Sequence, residues 1–226
     1  MPHTKPYVIA IDGPSASGKG VTSRRLAQML GVLTVDTGAM YRTLAWHCLR
    51  MKVDVNEDKK VAALCRKWKT SLVVADAHVR LLVDGYYPAQ EIRTSEASAA
   101  VAHVAQIRFV RDWMKAKQRE CLQFGSCVME GRDIGSNIFP ETDYKFFLDA
   151  SPEVRKTRRE RDGVTENLHD RDKRDSSRAH SPLMPSLGAK LIDNSHQGVQ
   201  ETCDIMLDEI NVRREANRLV LLKPVA

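Results

Sequence analysis

Residues 13–19 read GPSASGK and fit the first seven positions of the phosphate-loop pattern G-x-x-x-x-G-K-[ST]. In such a loop, backbone N–H groups and a helix N-terminus surround an anion, while the ammonium of Lys19 reaches the outer phosphates. Gly20 stands where the pattern has Ser or Thr, whose hydroxyl helps to hold Mg²⁺. The chemistry predicted from this stretch is binding of a nucleoside triphosphate.

A second candidate for phosphate chemistry is the charged stretch 155–178, where arginines outnumber lysines seven to two. A charge run of this kind is usually a solvated surface. Guanidinium groups, however, bind phosphate oxygens in a bidentate, planar geometry that ammonium groups do not offer. Arginines closing over a phosphate loop would stabilise the charge of a phosphoryl-transfer transition state and exclude water. The candidates are Arg155, Arg158, Arg159, Arg171, Arg174 and Arg178.

Further polar residues follow apolar runs elsewhere in the chain. Thr37 and Arg42 follow one such run, and Arg132 with Asp133 follow another. In parallel sheets, ligands bind at the carboxyl ends of the strands. For any one of these residues alone, a structural salt bridge is an equal alternative. Their joint placement favours a second site, to which three more residues would contribute: Arg111, Asp175 and Arg178. Two or more of the arginines could hold the phosphate of an acceptor nucleotide, and the acids could bind ribose hydroxyls or an exocyclic amine.

The elements that must position these residues alternate between strand and helix. A helix is predicted after residue 19, with a stop at Gly31, and short apolar runs predict buried strands. The order strand, helix, strand predicts an α/β fold with a five-stranded parallel sheet flanked by helices. The predicted strands cover residues 8–11, 32–35, 127–129, 144–148 and 187–192.

Residues 53–105 have a different pattern. Two β segments are predicted, at 70–77 and from 79 onward, with a turn at 76–78, which indicates a small antiparallel insert and not a crossover. Helices are predicted to follow at 96–105 and 106–122.

Composition narrows the functional class. At 226 residues the chain can bury a full core, and no apolar run approaches the ~18 residues that a membrane span needs. The N-terminal sequence lacks the apolar core of a signal peptide, and the five scattered cysteines form no C-x-x-C motif. We therefore expect free thiols and a cytoplasmic location. The net charge of +6 suits a polyanionic partner, either nucleotide or nucleic acid.

Two other functional classes have weaker support. A GTPase-like switch would carry D-x-x-G and N-K-x-D motifs, and the chain contains neither. A nucleic-acid-binding module would present a basic patch interleaved with aromatic residues, but aromatic residues make up only 6% of the chain. We therefore expect no nucleic-acid partner and no membrane partner.

Seven motifs, in order from Val8 to Ser195, resemble those of the bacterial cytidylate kinases, which are nucleoside-monophosphate kinases of the P-loop NTPase class. They are IDGPSASGKG, DTGAMYR, EIRT, GRDIG, FLDAS, RDKRDSSR and LIDNS. The resemblance implies Mg²⁺-dependent, direct transfer of the γ-phosphoryl group of ATP to CMP or dCMP, in pyrimidine nucleotide metabolism. It also implies a P-loop kinase core with an acceptor-binding insert and a mobile lid.

The resemblance also suggests how the chain is divided. We expect one domain over residues 1–226, and we expect the protein to be a monomer. Its predicted parts are a core of 1–52, 106–151 and 179–226, an acceptor-binding insert of 53–105 and a lid of 152–178.

Residue roles follow from the same resemblance. ATP phosphates would be bound by Gly13, Pro14, Ser15, Ala16, Ser17, Gly18, Lys19, Gly20 and Val21. The catalytic cations would be Lys19, Arg155, Arg158 and Arg159. Contacts to the acceptor phosphate and sugar would come from Thr37, Arg42, Arg132, Arg171 and Arg178, with Asp175 on the ribose. Arg111 and Asp133 would read the cytosine, whose amino donor lies beside acceptors and so complements a carboxylate with a guanidinium.

The chain departs from the family pattern after the lysine. The family has glycine and then threonine there, whereas this chain has Gly20 and then Val21. Thr22, one place later, is the predicted substitute near Mg²⁺, and water could complete the shell because Mg²⁺ keeps several waters.

Other departures concern the acceptor and the lid. Ala102 replaces a serine of the family's base site, which lowers the expected selectivity for cytosine. The alternative within this class is a kinase for UMP or AMP, and a more distant one is a non-catalytic nucleotide-binding protein. Arg108 replaces a proline, and residues 136–137 replace threonine and valine. Only eleven residues separate Arg159 from Arg171, so the lid is expected to be short.

Overall fold

A computed structural model of the chain describes residues 5–161, 172–173, 175–177 and 182–225. The chain forms two compact units: the first is Met1–Thr34 with Gly125–Ala226, and the second is Val35–Phe124. The boundaries predicted for the insert at 53–105 and the lid at 152–178 remain predictions.

Seven strands and seven longer helices are found in the described residues. The strands are β1 (Val8–Asp12), β2 (Leu33–Asp36), β3 (Thr70–Ala75), β4 (His78–Val83), β5 (Cys127–Gly131), β6 (Tyr144–Asp149) and β7 (Lys190–Asp193). The helices are α1 (Lys19–Leu30), α2 (Thr37–Arg50), α3 (Asp58–Lys67), α4 (Ser95–Val104), α5 (Arg108–Glu120), α6 (Pro152–Arg161) and α7 (Val199–Ala216).

The first unit is built on a sheet in which β1 is central. The strand order is β2-β5-β1-β6-β7, with β2 beginning in this unit. The pairs β1–β5, β1–β6 and β6–β7 are all parallel. All five residues of β1 are buried, as expected for a strand covered on both faces. The predicted α/β fold, with a largely parallel sheet flanked by helices, is confirmed.

Helices α1 and α7 cover this sheet through a shared apolar core. Leu26 of α1 and Met206 of α7 are fully buried together with Ile9, Phe146 and Leu148 of the strands. Helix α1 ends where the sequence predicted, because Gly31 adopts a left-handed conformation (φ 63°) and its N–H bonds back to the last turn. The core therefore fixes the axis of α1 and the position of its N-terminus.

The second unit contains the predicted antiparallel insert and four helices. Strands β3 and β4 pair antiparallel, and Asp76 and Ala77 form the turn with φ values of 52° and 60°. Trp68 packs against Trp113 of α5 with ring centroids 4.6 Å apart. The fully buried side chains of this unit include Leu44, Val61, Leu81, Val83, Val104, Val110 and Met114.

The structure corrects several predicted boundaries. His78 belongs to β4 and not to the turn, because a two-residue turn with positive φ suffices to reverse the chain. Strand β7 begins at Lys190, three residues later than predicted, because Leu187 and Gly188 form an exposed turn. Helix α3 was not predicted, although Val61 and Cys65 at helical spacing form its buried face.

No helix in the described ranges combines the length and apolarity needed to cross a membrane. The five cysteines are free thiols, as predicted, and all five are buried.

Candidate active site

The glycine loop, residues 13–18, connects β1 to α1 and requires glycine at both ends. Gly13 has a φ of 151°, and a Cβ on it would lie 2.0 Å from the backbone oxygen of Leu148. Gly18, the N-cap of α1, has a φ of 91°, and a Cβ on it would lie 3.0 Å from Nδ2 of Asn194. A side chain at either position would push the loop away from the ends of β6 and β7.

Lys19 follows the loop directly and folds back over it. Its Nζ donates to the backbone oxygen of Pro14 at 2.6 Å and to Oγ of Ser17 at 3.3 Å. The side chain is only 5% exposed, so its positive charge is held at the loop and not in bulk solvent. An ammonium in this place is suited to bind a phosphate that enters the loop.

Two arginines of α6 reach the same loop. Arg155 donates to the backbone oxygen of Ser15 at 3.3 Å and also to the carboxylate of Asp172. Arg158 lies 3.5 Å from the backbone oxygen of Ala16. The residue directly before α6 is held beside the end of β7, because Oγ of Ser195 accepts the N–H of Ser151 at 2.7 Å. Three of the four predicted catalytic cations thus contact one loop.

Arg159 lies on the same helix as these two arginines, and its predicted role stays a prediction.

Asn194 connects the loop to α6, a function that was not predicted from the sequence. Its Nδ2 donates to the backbone oxygen of Ser17 at 3.0 Å, and its Oδ1 accepts from Arg158 at 3.0 Å. The backbone oxygen of Asn194 accepts a second N–H of the same guanidinium at 3.1 Å. Asn194 directly follows β7, so its position at the carboxyl end of a strand was the available signal.

The two residues that follow Gly20 differ in exposure to solvent. Val21 is 46% exposed, whereas Thr22 is buried and its Oγ1 has no hydrogen-bond partner among the described residues. A Cβ on Gly18 would lie 4.0 Å from that hydroxyl. The hydroxyl therefore lies close to the end of the loop, and a hydroxyl oxygen is the kind of ligand that Mg²⁺ binds. No group of three or more His, Cys, Asp or Glu that could hold a metal is found in the part of the chain that the structure describes.

The second constellation of the first unit is the Asp133 segment, residues 131–138, which follows β5. Nε of Arg132 donates to Oδ2 of Asp175 at 2.8 Å, and both side chains are mostly buried. Burial acts to lower the pKa of the Arg132 guanidinium, but the Asp175 carboxylate outweighs it and the pKa is raised. Asp133 is buried, and its Oδ2 accepts from Nδ2 of Asn137 at 2.9 Å.

Asp12 also belongs to this constellation, although its place at the end of a predicted strand did not lead to a predicted role. Its carboxylate accepts the backbone N–H groups of Ile134 and Gly135. Burial raises the pKa of Asp12 to about 6, against the opposing effect of these two N–H groups. Carboxylates with raised pKa values are concentrated at functional sites.

Three predicted acceptor residues lie in the second unit. Thr37 is buried at the start of α2. Arg42 donates to Oδ2 of Asp36 at 3.0 Å, while Oδ1 of the same carboxylate caps α2. Arg111 is 5% exposed, donates to the backbone oxygen of Ala105 at 3.1 Å and lies 5.9 Å from the ring centroid of Tyr41.

Ala102 and Arg108, the two departures from the family pattern in the second unit, both lie in described helices. Ala102 accepts from Nε2 of Gln106 at 2.7 Å through its backbone oxygen, and Arg108 is exposed beside Asp112 on α5. The predicted phosphate contacts Arg171 and Arg178 lie outside the described residues, as does Arg174.

In comparisons with known proteins, the matching family model and the relatives named below carry the same description. The family model described as cytidylate kinase matches residues 9–212. A protein named cytidylate kinase from Clostridioides difficile (strain 630) is 36% identical over 216 residues, covering 91% of this chain and 98% of its own. The cytidylate kinase of Bacillus subtilis (strain 168) is 35% identical over 217 residues, covering 91% and 97%. That of Rhodococcus opacus (strain B4) is 36% identical over 222 residues, covering 93% and 97%.

Proposed function

The chain belongs to the cytidylate kinase family, and we propose that it transfers the γ-phosphoryl group of ATP to CMP or dCMP, producing ADP and (d)CDP. The observation that carries this proposal is the convergence of Lys19, Arg155 and Arg158 on the glycine loop. Each cation donates to a backbone oxygen of the loop. Phosphate oxygens are stronger acceptors for charged donors, so an entering triphosphate would draw these donors to itself.

In the proposed mechanism, the loop and its cations bind the donor. The backbone N–H groups of Gly13 and of residues 15–21 surround the ATP phosphates at the positive end of α1, whereas Pro14 has no N–H to donate. Lys19 contacts the outer phosphates, and Arg155, Arg158 and Arg159 stabilise the charge that spreads over the transferred group in the transition state. The arginines also exclude water, which would otherwise accept the phosphoryl group.

The acceptor contacts are proposed for each unit separately. In the first unit, Arg132 and Asp175 contact the acceptor phosphate and ribose, together with Arg171 and Arg178, and Asp133 accepts from the amino group of cytosine. In the second unit, Thr37 and Arg42 contact the phosphate, and Arg111 donates to the cytosine acceptors. Each of these cations presents more than one N–H, so a contact with a carboxylate or backbone oxygen leaves donors for a nucleotide.

The transfer needs no general base from the protein. The attacking oxygen belongs to the CMP phosphate, which is already ionised near neutral pH. The γ-phosphoryl group passes directly to that oxygen, as its bond to the β-phosphate oxygen of ATP breaks. Holding the two nucleotides in line and stabilising the shared charge account for the catalysis.

Mg²⁺ is proposed to enter with ATP. It would neutralise part of the charge on the β- and γ-phosphates while it keeps several waters. The hydroxyl of Thr22 is the residue of this chain proposed to contact it, supported by the absence of a hydrogen-bond partner for Oγ1 among the described residues. A monomeric state and a cytoplasmic location complete the proposal, with nucleotides as the only partners.

Steady-state rates with ATP and Mg²⁺ test the proposal across four acceptors: CMP, dCMP, UMP and AMP. We expect CMP and dCMP to have the highest kcat/KM. Higher values for UMP or AMP would overturn the cytidylate assignment, and ATP binding without transfer to any acceptor would favour a non-catalytic nucleotide-binding protein.

A further inference from the structure

Asp12 occupies the last position of β1, immediately before the glycine loop. Its side chain is 2% exposed. Oδ1 accepts the backbone N–H of Ile134 at 2.7 Å, and Oδ2 accepts that of Gly135 at 2.8 Å. One buried side chain therefore joins the strand that leads into the glycine loop to the segment that carries Asp133.

The backbone N–H groups of Ile134 and Gly135 explain why position 12 needs a carboxylate. Residues Ile134–Ile138 form a short helical segment, and the first N–H groups of such a segment have no partner within it. Two adjacent N–H groups require two acceptor oxygens. An ionised Asp supplies two, whereas Asn supplies one and would direct its own NH₂ donors at the other N–H. Asp12 thus fixes the backbone directly after Asp133.

The charge on Asp12 is unfavourable for the fold. Burial raises the pKa of this carboxyl to about 6, and the neighbouring Asp133 raises it as well, while Lys19 acts in the opposite direction. From β6, the side chain of Lys145 also lies close to Gly135. An ionised carboxylate in this position reduces stability near neutral pH. Its presence between two nucleotide-binding constellations is better explained by a role in binding than by a role in folding.

We propose that Asp12 is a positioning residue for the acceptor base. Its ionised carboxylate holds the backbone of residues 133–135 so that Asp133 meets the cytosine, and it does so from the strand that ends at the glycine loop. The inference rests on the proposed function, in which Asp133 reads the base. The same negative charge opposes the anionic phosphates of ATP and attracts Lys19 away from them. Asp12 should therefore act in opposite directions on the two nucleotides.

Asp12→Asn tests this because it removes the charge and one acceptor while it preserves the shape. Isothermal titration calorimetry should measure the Kd of CMP and that of a non-hydrolysable ATP analogue separately. We expect the Kd of CMP to rise about tenfold, a loss typical of one hydrogen bond to a charged group. The Kd of the ATP analogue should stay within about twofold or decrease. Asp204→Asn, a change at an exposed carboxylate of α7, is the matched control and should alter neither Kd.

Two results would overturn the inference: an unchanged Kd for CMP in the folded variant, or a parallel loss of affinity for both nucleotides, which would indicate general loss of packing. The wild type keeps the two proposals distinct. If wild-type protein binds no CMP, the proposed function fails; if it binds CMP as well as Asp12→Asn does, only the role of Asp12 fails.

A measurement on the wild type tests the inference even if Asp12→Asn does not fold. Cytidine is the probe, because it lacks the phosphate whose own pKa near 6 would obscure the result. Its Kd from chemical-shift titration should rise about tenfold between pH 7.5 and pH 5, as Asp12 gains a proton. The amide resonances of Ile134 and Gly135 should titrate with the same midpoint. A cytidine Kd that does not change with pH would contradict the role of Asp12.

Discussion

The glycine loop and the Asp133 segment flank the end of β1, yet opposite charges hold them in place. At the loop, Lys19, Arg155 and Arg158 donate to backbone oxygens. At the segment, the carboxylates of Asp12 and Asp133 accept from backbone and amide N–H groups. The difference matches what each region is proposed to bind. A phosphate is recognised by positive charge from any direction, whereas a base is recognised by the pattern of its donors and acceptors.

The two regions also differ in how they should respond to substitution. A cation at the loop contributes to the transition state, in which charge develops on the transferred group, so its loss should appear mainly in kcat. A carboxylate at the segment contacts or positions the base in both ground and transition states. Its loss should appear in affinity and in discrimination between acceptors.

Lys19→Ala should have the largest effect and affects the loop alone. We expect kcat to fall about 10³-fold, because a preorganised positive charge at the transferred phosphoryl group is lost. The Kd of CMP should stay within about twofold, since the residue is placed at the donor. Initial rates, CMP titration and thermal unfolding would measure the three effects. Lys19→Arg keeps the charge with a different shape and should recover part of the rate; wild-type turnover in Lys19→Ala would refute the site.

Asp133→Ala is the corresponding change at the segment and should have the next largest effect. We expect kcat/KM for CMP to fall about 10²-fold while UMP is affected much less, because a buried acceptor for the cytosine amino group is removed. The KM for ATP should change less than about twofold. Competition assays with CMP and UMP would measure the discrimination, and Asp133→Asn serves as an isosteric comparison. Equal losses for CMP and ATP would show that Asp133 has a structural role only.

The contrast between the regions also explains what could be predicted from the sequence. The glycine loop is contiguous, so the spacing of Gly13, Gly18 and Lys19 predicted both the loop and the helix after it. The parallel strands were predicted because their apolar runs are short and continuous. These signals depend on neighbours in the chain, which a sequence displays directly.

The roles of Asp12 and Asn194 could not be predicted in this way. The N–H donors of Asp12 are 122 and 123 residues away, and Asn194 contacts a backbone oxygen 177 residues away. Backbone N–H and C=O groups exist at every residue, so no residue type marks such partners. Both residues lie at the end of a predicted strand and within a family motif, but several other polar residues share these features.

Asn194→Ala should have an intermediate effect and tests how the loop cations are held. Without Oδ1 and Nδ2, Arg158 loses one acceptor and the loop loses its tie at Ser17. We expect kcat to fall about tenfold, because misplacing one charged donor weakens its contribution to the transition state. The Kd of CMP should not change. Steady-state kinetics with both substrates measures this.

Asn194→Asp separates the two halves of the contact, because a carboxylate keeps the acceptor for Arg158 but loses the donor to Ser17. If Arg158 is the important partner, this variant should be faster than Asn194→Ala. If the tie to Ser17 is the important one, Asn194→Asp should be at least as slow, since its charge would also repel the loop oxygen.

The smallest expected effect concerns stability and isolates the charge on Asp12. Because burial raises the pKa of this carboxyl from 3.8 to about 6, its contribution to stability is fully present below pH 3.8 and is lost as the pH rises through 6. Lowering the pH from 8 to 5 should therefore add about 1 kcal/mol to the free energy of unfolding through Asp12. Urea unfolding of wild type and Asp12→Asn at the two pH values measures this, since other titrating groups are common to both proteins. The wild type should gain more stability than the variant on acidification, because only the wild type relieves a buried charge. An equal pH dependence of the two proteins would mean that Asp12 is not charged in the folded state at pH 8, and the segment would then be held without the charge that distinguishes it from the loop.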